Sequence, residues 1–469
     1  MYDTLVKGGM VVAEEGTKQL DVGLRDGKIA ALLEPGSNAE ASETIDASGQ
    51  HLLPGAIDIH FHVRAPAYPQ RGTVASETKA AAAGGVTTLF EMPISKPCCA
   101  TPEIFRQRRD LFAKDAYVNF GLYGAPGMLN PDYISGMIEE GAIGFKIFMT
   151  EAPKGRDDEF VGLCLPEEGE QYEALRLLAD TDSVTVVHAE SNPLLSHFSN
   201  KIKETGRNDA ETHGESRPPV VEAVAIAKLL TMNEALGAKL HIAHVSCRHA
   251  AETLKKFQPT MDVTGETCPQ YLLFTEQALA DYGSYAKINP PLRKEDDQQA
   301  LWDALADGTL ISVTTDHSPF AVEEKEKAKT DIWAAPPGAP GIEELVPGML
   351  DAVSKNKLTL EHAVNLISTN GAKRFGLYPH KGVITEGADA DLILVDLDQS
   401  TTIDKTELFT QAKLCDYLYD GMSFQGKVLT TLLGGKTVFH EGEVVGEAGW
   451  GQFVRPQVTK TVAEIKESV

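Results

Sequence analysis

Six residues have the types and spacing needed to hold a divalent metal. His60 and His62 stand two apart in AIDIHFHV. Side chains two apart on an extended strand share a face, so both imidazoles can reach one ion. An HxH pair by itself is weak evidence, because a histidine in an apolar strand is commonly a hydrogen-bonded core residue. His188 closes VTVVHAE, His244 closes HIAHVS and Asp316 closes LISVTTDHSP. Four imidazoles and a carboxylate supply the donors that zinc and other borderline divalent ions prefer. Lys146, inside GFKIF, is the residue that apolar periodicity does not explain. Burying an ammonium is costly unless it is paired or chemically altered. A salt bridge to a carboxylate is one solution, and a covalent change is the other.

These residues need a scaffold that brings distant segments together. Eight apolar runs, AIDIHFHV, GVTTLFEMP, YVNFGLYGA, GFKIFMT, VTVVHAE, KLHIAHVS, MDVTGETCP and LISVTTDHSP, alternate with helical stretches such as ETKAAAAGG and PPVVEAVAIAKLLTMNEAL. That rhythm predicts parallel βα units, and eight of them predict an α/β fold, a closed (β/α)8 TIM-like barrel spanning 54–377. Catalytic groups of such a barrel sit at the carboxyl ends of its strands, where all six residues fall. His241, three before His244, is assigned to the opposite strand face and to a structural role. His213, His249 and His380 have no partner pattern, and His317 is expected to support Asp316 or simply to pack.

The two ends of the chain have a different style. LVKGGMVV, then LDVGLRDGKIAALL with its Asp26-Gly27 hairpin signal, resemble ADLILVDLD and LLGGKTVFHEGEVV near the other end. They predict a small β-sandwich domain built from 1–53 and 378–469. Two long polar connections, EAPKGRDDEFVGLCLPEEGEQ and FAVEEKEKAKTDIWAAPPGAPG, suit mobile loops over a site.

Composition narrows the partners. The 469 residues carry 43 Lys plus Arg against 68 Asp plus Glu, a net charge of -25. Such a surface repels phosphate backbones and anionic lipid, so nucleic acid and membrane are excluded as expected partners. No apolar run approaches the ~20 residues that span a bilayer, and the start MYDTLVKG lacks the features of a secretory signal. Six cysteines without a CxxC pair fit a reducing cytoplasm. No P-loop is present, and GLYGAPG lacks its spacing.

The motifs PGAIDIHFHV, AAAAGGVTTLFEMP, GFKIFM, VVHAES, HIAHVS, ETCPQYL, INPPLR, TTDHSP, GAPGIEELVP and EGADADLILVD run through most of the chain. In them the sequence resembles the amidohydrolase superfamily, specifically its cyclic-amidase branch of dihydroorotases, allantoinases, hydantoinases and dihydropyrimidinases. The resemblance implies an enzyme that hydrolyses a small cyclic amide with two divalent ions, zinc foremost. It implies that Lys146 is carbamylated and bridges the ions, one held by His60, His62 and Asp316 and the other by His188 and His244. Two cations roughly 3.5 to 4 Å apart lower the pKa of a bridging water and polarise the substrate carbonyl. Asp316 is then the proton shuttle from nucleophile to leaving nitrogen. Relatives are commonly dimers or tetramers, which implies a homo-oligomer.

The ring is read from further positions. Arg64 in HFHVR and Asn289 in INPPLR match the dihydroorotase contacts to a carboxylate-bearing substrate, although Arg64 can instead pair with an acidic side chain. Met92-Pro93-Ile94 lacks the asparagine of the dihydroorotase MPN segment, and Glu151 stands where hydantoinases place a tyrosine. Gly341 belongs to GAPGIEELVP, which resembles the hydantoinase and allantoinase loop, and EMPIS resembles the allantoinase sequence. The expected substrate is an allantoin- or hydantoin-type ring. The alternatives are a dihydroorotase or dihydropyrimidinase acting on a six-membered ring, or a metal-free scaffold relative, which the complete set of ligand positions argues against.

Overall fold

The computed structural model describes residues 1–13, 16–327 and 329–457. Residues 458–469 of the expected terminal β domain and Ala328 of the second long connection lie outside the described residues. The eight apolar runs form eight strands: Ala56–Phe61, Val86–Glu91, Asn119–Gly124, Gly144–Phe148, Val184–His188, Lys239–Ile242, Val263–Thr267 and Ser312–Val313. They pair parallel in chain order as one eight-stranded sheet. Every residue of the first three is buried, as expected where helices cover a parallel sheet outside and side chains fill it inside. Helices such as Val74–Ala83 and Pro219–Asn233 occupy the predicted connections. The first starts at Thr73, whose side chain accepts the Ser76 N–H while Ser76 reaches back to the Thr73 N–H.

The eighth strand is only two residues long, so side chains join the two edges of the sheet. Asp58, in the first strand, accepts hydrogen bonds from the Thr315 N–H at 3.1 Å, the Thr315 hydroxyl at 2.5 Å and the Thr314 hydroxyl. Just above, the His62 N–H donates to the His317 carbonyl at 2.9 Å. The seam of the (β/α)8-type barrel therefore runs beside His60, His62 and Asp316.

The chain ends build one nine-stranded mixed sheet. Its pivot is the strand His51–Pro54, parallel to Met10–Val11 on one side and antiparallel to Leu392–Val395 on the other. Val11, Val22, Leu24, Ile29, Leu52, Leu392, Leu394 and Leu432 share a core beneath it. Asp26 and Gly27 both take positive φ, 53° and 75°, the mirror-image turn that a tight hairpin requires.

Both long connections are tied down at the mouth. Glu159 accepts from Arg156 at 2.6 Å and from the Tyr68 hydroxyl at 2.8 Å, while Arg71 pairs with Glu324. The Phe320 ring lies under Arg64 and Arg71, 4.4 and 4.7 Å from its centroid. Two lysines are buried at the second connection, Lys325 within it and Lys287 against it. Lys287 donates to the carbonyls of Ile332 and Ala335, both at 2.7 Å, and Lys325 to those of Pro336 and Ser284, at 2.9 and 3.1 Å. Burial pulls each ammonium down to about 7.

Candidate metal centre

Four imidazoles meet at the mouth in a chain, His62 to His60 to His244 to His188, with ring centroids 5.3, 5.2 and 4.6 Å apart. Asp316 lies over the first pair, 3.1 Å from His62 Nε2 and 3.3 Å from His60 Nε2. Ligand atoms of His60, His62 and Asp316 all fall within 4.8 Å of one another, a spacing that suits one ion. His188 Nδ1 and His244 Nε2 converge at 2.9 Å. Burial lowers the pKa of all four histidines, His62 to about 4, so each offers the neutral imidazole that a metal requires. Arg64, His244 and Asp316 take positive φ, 60°, 38° and 48°. Non-glycine residues in that region are uncommon and cluster at functional sites.

The sequence profile of the amidohydrolase family matches residues 51–438, which include all six of these positions. The chain belongs to the amidohydrolase family. It is 35% identical to the L-hydantoinase of Paenarthrobacter aurescens, over 97% of this chain and 98% of that one. It is 36% identical to an allantoinase of Rubrobacter xylanophilus, over 98% and 99%. Among solved structures, the L-hydantoinase (dihydropyrimidinase) of Arthrobacter aurescens superposes with a TM-score of 0.92, covering 97% of this chain and all of that one.

In this amidohydrolase Lys146 is fully buried, and its Nζ has no hydrogen-bond partner among the described residues. Burial lowers its pKa to about 8, against the pull of Glu266 and Asp316. The salt-bridge alternative is therefore not realised, and an orphaned buried amine fits conversion to an anion. His62 Nδ1 and His244 Nδ1 are likewise buried without partners among the described residues.

Two carboxylates missed by sequence reasoning orient the cluster. Glu266, in the seventh strand, accepts from His60 Nδ1 at 2.5 Å and turns His60 Nε2 towards Asp316. Glu190 accepts from His188 Nε2 at 2.7 Å and leaves Nδ1 facing His244. Against the push of burial, Arg217 and His188 hold Glu190 well below the usual carboxylate range. Carboxylate-backed histidines of this kind are what metal sites use to fix ring orientation. A signal for Glu266 was present, an acid inside the buried run VTGET.

His241 corrects an expectation. Its Nε2 lies 3.1 Å from Glu266 Oε2, so it points into the barrel beneath the cluster rather than away from it. The sixth strand ends at Ile242 and His244 adopts φ 38°, so strict alternation does not extend from His241 to His244.

The three substrate-side positions differ. Arg64 is buried, donates through Nη2 to the Ser318 hydroxyl at 2.7 Å and keeps Nε and Nη1 without partners; no ion pair holds it among the described residues. Burial, reinforced by Arg156 and Arg71, lowers its pKa to about 9. Asn289 has a buried Oδ1 without a partner, and no hydrogen bond joins it to the cluster among the described residues. Gly341 donates its N–H to His317 Nδ1 at 3.1 Å. Glu151 is exposed and donates its N–H to the Asn192 side-chain oxygen.

Proposed function

We propose that this amidohydrolase opens an allantoin- or hydantoin-type ring by metal-assisted hydrolysis of a C–N bond. In this reading 54–377 form the catalytic barrel, flanked by a composite β domain of 1–53 and 378–469. The observation that carries it is the buried, partnerless Lys146 amine beside a convergent set of neutral imidazoles and Asp316. Lys146, carbamylated by carbon dioxide with loss of a proton, would join two divalent ions, one held also by His60, His62 and Asp316 and the other by His188 and His244. Such ions, zinc foremost from the nitrogen-rich donor set, would supply an activated water and polarise the amide carbonyl. Asp316 accepts the proton released by the attacking water and returns it to the ring nitrogen as the C–N bond breaks. Arg64, Asn289 and Gly341 orient the ring.

The similarity to an L-hydantoinase and an allantoinase, each over nearly the full chain, supports a five-membered ring. The unpartnered Nε and Nη1 of Arg64 favour a second reading, a ring carrying a carboxylate such as dihydroorotate. Assaying allantoin, hydantoin, dihydrouracil and dihydroorotate side by side, with protein purified in the presence of zinc or manganese and bicarbonate, separates the two. Turnover of allantoin or hydantoin is expected. Turnover of dihydroorotate alone would install the second reading, and no turnover with no stoichiometric metal would remove the hydrolase. The same reading makes the protein a cytoplasmic homo-oligomer, dimer or tetramer, a state that light scattering on the purified protein measures directly.

A further inference from the structure

His317 follows Asp316, and each of its polar atoms is committed. Its N–H donates to the Thr315 hydroxyl at 2.9 Å, its carbonyl accepts the His62 N–H at 2.9 Å, and its buried ring stacks on Phe61 with centroids 5.2 Å apart. The Nε2 atom lies 2.8 Å from Glu77 Oε2. The Nδ1 atom faces two main-chain donors, the N–H groups of Gly341 at 3.1 Å and Ile342 at 3.3 Å. An N–H can only donate, so Nδ1 is the acceptor and the ring proton sits on Nε2, directed at Glu77.

Glu77 is itself held by the Thr410 hydroxyl at 2.5 Å, the Gln411 N–H at 3.0 Å and the Ser76 hydroxyl at 2.8 Å. Glu343, two residues after Gly341, accepts the N–H groups of Phe409 and Thr410 at 2.9 and 3.1 Å. Segment 409–411 therefore grips the Gly341 loop from outside while His317 grips it from within. Gly341 has no positive φ, and a Cβ there would meet only the Tyr419 ring, at 3.8 Å. Protein packing does not demand a glycine at that position. In planar trans peptides each carbonyl points opposite its N–H, so the Pro340 and Gly341 carbonyls are turned away from His317.

We infer that Glu77 and His317 are positioning residues, a carboxylate–imidazole pair that fixes one tautomer and thereby sets the main chain at Gly341 against the ring of the substrate. The inference rests on the proposed hydrolase reading for its effect on turnover, though not for its effect on the loop.

Two substitutions separate the two ring nitrogens. In His317→Asn the amide oxygen stands where Nδ1 stood and keeps an acceptor for Gly341. In His317→Gln the amide reaches Glu77 and leaves the Gly341 and Ile342 N–H groups without an acceptor. With full-length, metal-loaded protein and a ring that the parent turns over, His317→Gln is expected to raise KM by about ten-fold, with metal per chain unchanged and kcat less affected. His317→Asn is expected to stay within about three-fold of the parent. Hydrogen exchange across 338–343 should speed up in the Gln variant alone. Thr410→Val, which loosens Glu77 from outside the mouth, should raise KM in the same direction and guards against misfolding of the His317 variants. Equal impairment of Asn and Gln, or parental KM and exchange in the Gln variant, would overturn the inference. A parent protein without turnover on any ring would strike the hydrolase reading instead, and exchange across 338–343 would still decide this one.

Discussion

The barrel mouth and the second long connection both bury lysine, and they satisfy it in opposite ways. Lys287 and Lys325 each give two hydrogen bonds to main-chain carbonyls, whereas Lys146 gives none among the described residues. All three are lowered in pKa by desolvation, to about 7, 7 and 8. Burial and a shifted pKa therefore do not separate a structural lysine from a reactive one. Partnering does, because a buried polar group without a partner is a cost that only some further chemistry offsets.

Exchanging the lysines tests that distinction most severely. Lys146→Ala is expected to lower turnover by at least about a thousand-fold, while the thermal midpoint of the metal-free protein does not fall, since there it removes an unpartnered buried amine. A small carboxylic acid added to that variant should restore part of the activity. Unchanged turnover would place Lys146 with the structural pair. Next in size is Glu266→Gln, which weakens the backing of His60 and should reduce metal affinity by about 10- to 100-fold, read as metal per chain after dialysis against a chelator. At the second connection, Lys287→Met leaves the Ile332 and Ala335 carbonyls without their donor. Hydrogen exchange across 331–338 should quicken by about ten-fold while metal content holds.

The smallest effect is on pH dependence. Unfolded lysine keeps its proton to about pH 10.4, while Lys287 and Lys325 release theirs near 7. Between those values the unfolded chain binds more protons, so stability rises with pH, by at most about 1.4 kcal/mol per pH unit for each lysine. Below about pH 7 neither contributes a slope. Denaturant titrations of Lys287→Met and Lys325→Met between pH 7 and 10 should show shallower slopes than the parent, and parallel slopes would contradict the shifted values.

Much of the mouth was legible because its polar residues interrupt apolar runs. His60, Lys146 and His188 stand in strands, where period-two alternation and burial on both faces make a polar side chain conspicuous. His62, His244 and Asp316 were placed by the same rule although all three lie beyond their strand ends, because the chain at those positions is still at the mouth. The orienting acids were not legible as a set. Glu77, Glu190 and Glu266 come from a helix, a loop and a strand; Glu190 stands two residues after the His188 it supports, but no local spacing relates Glu77 to His317 or Glu266 to His60. The face of His241 was lost for a local reason, since alternation stops where the backbone leaves the strand at Ile242. The terminal sheet was foreseen from its hairpin and strand signals, but which strand joins its halves depends on pairing between residues far apart in the chain.

That pivot has a consequence for biosynthesis. Pro54 leaves the ribosome long before Leu392, its antiparallel neighbour. At ~5–20 residues per second the interval is on the order of tens of seconds. Throughout it the edge of His51–Pro54 presents unpaired main-chain groups, the template on which strands of other chains add. Nascent chains stalled before residue 392 should therefore depend on chaperones to stay dispersed, whereas chains released after residue 433 should not.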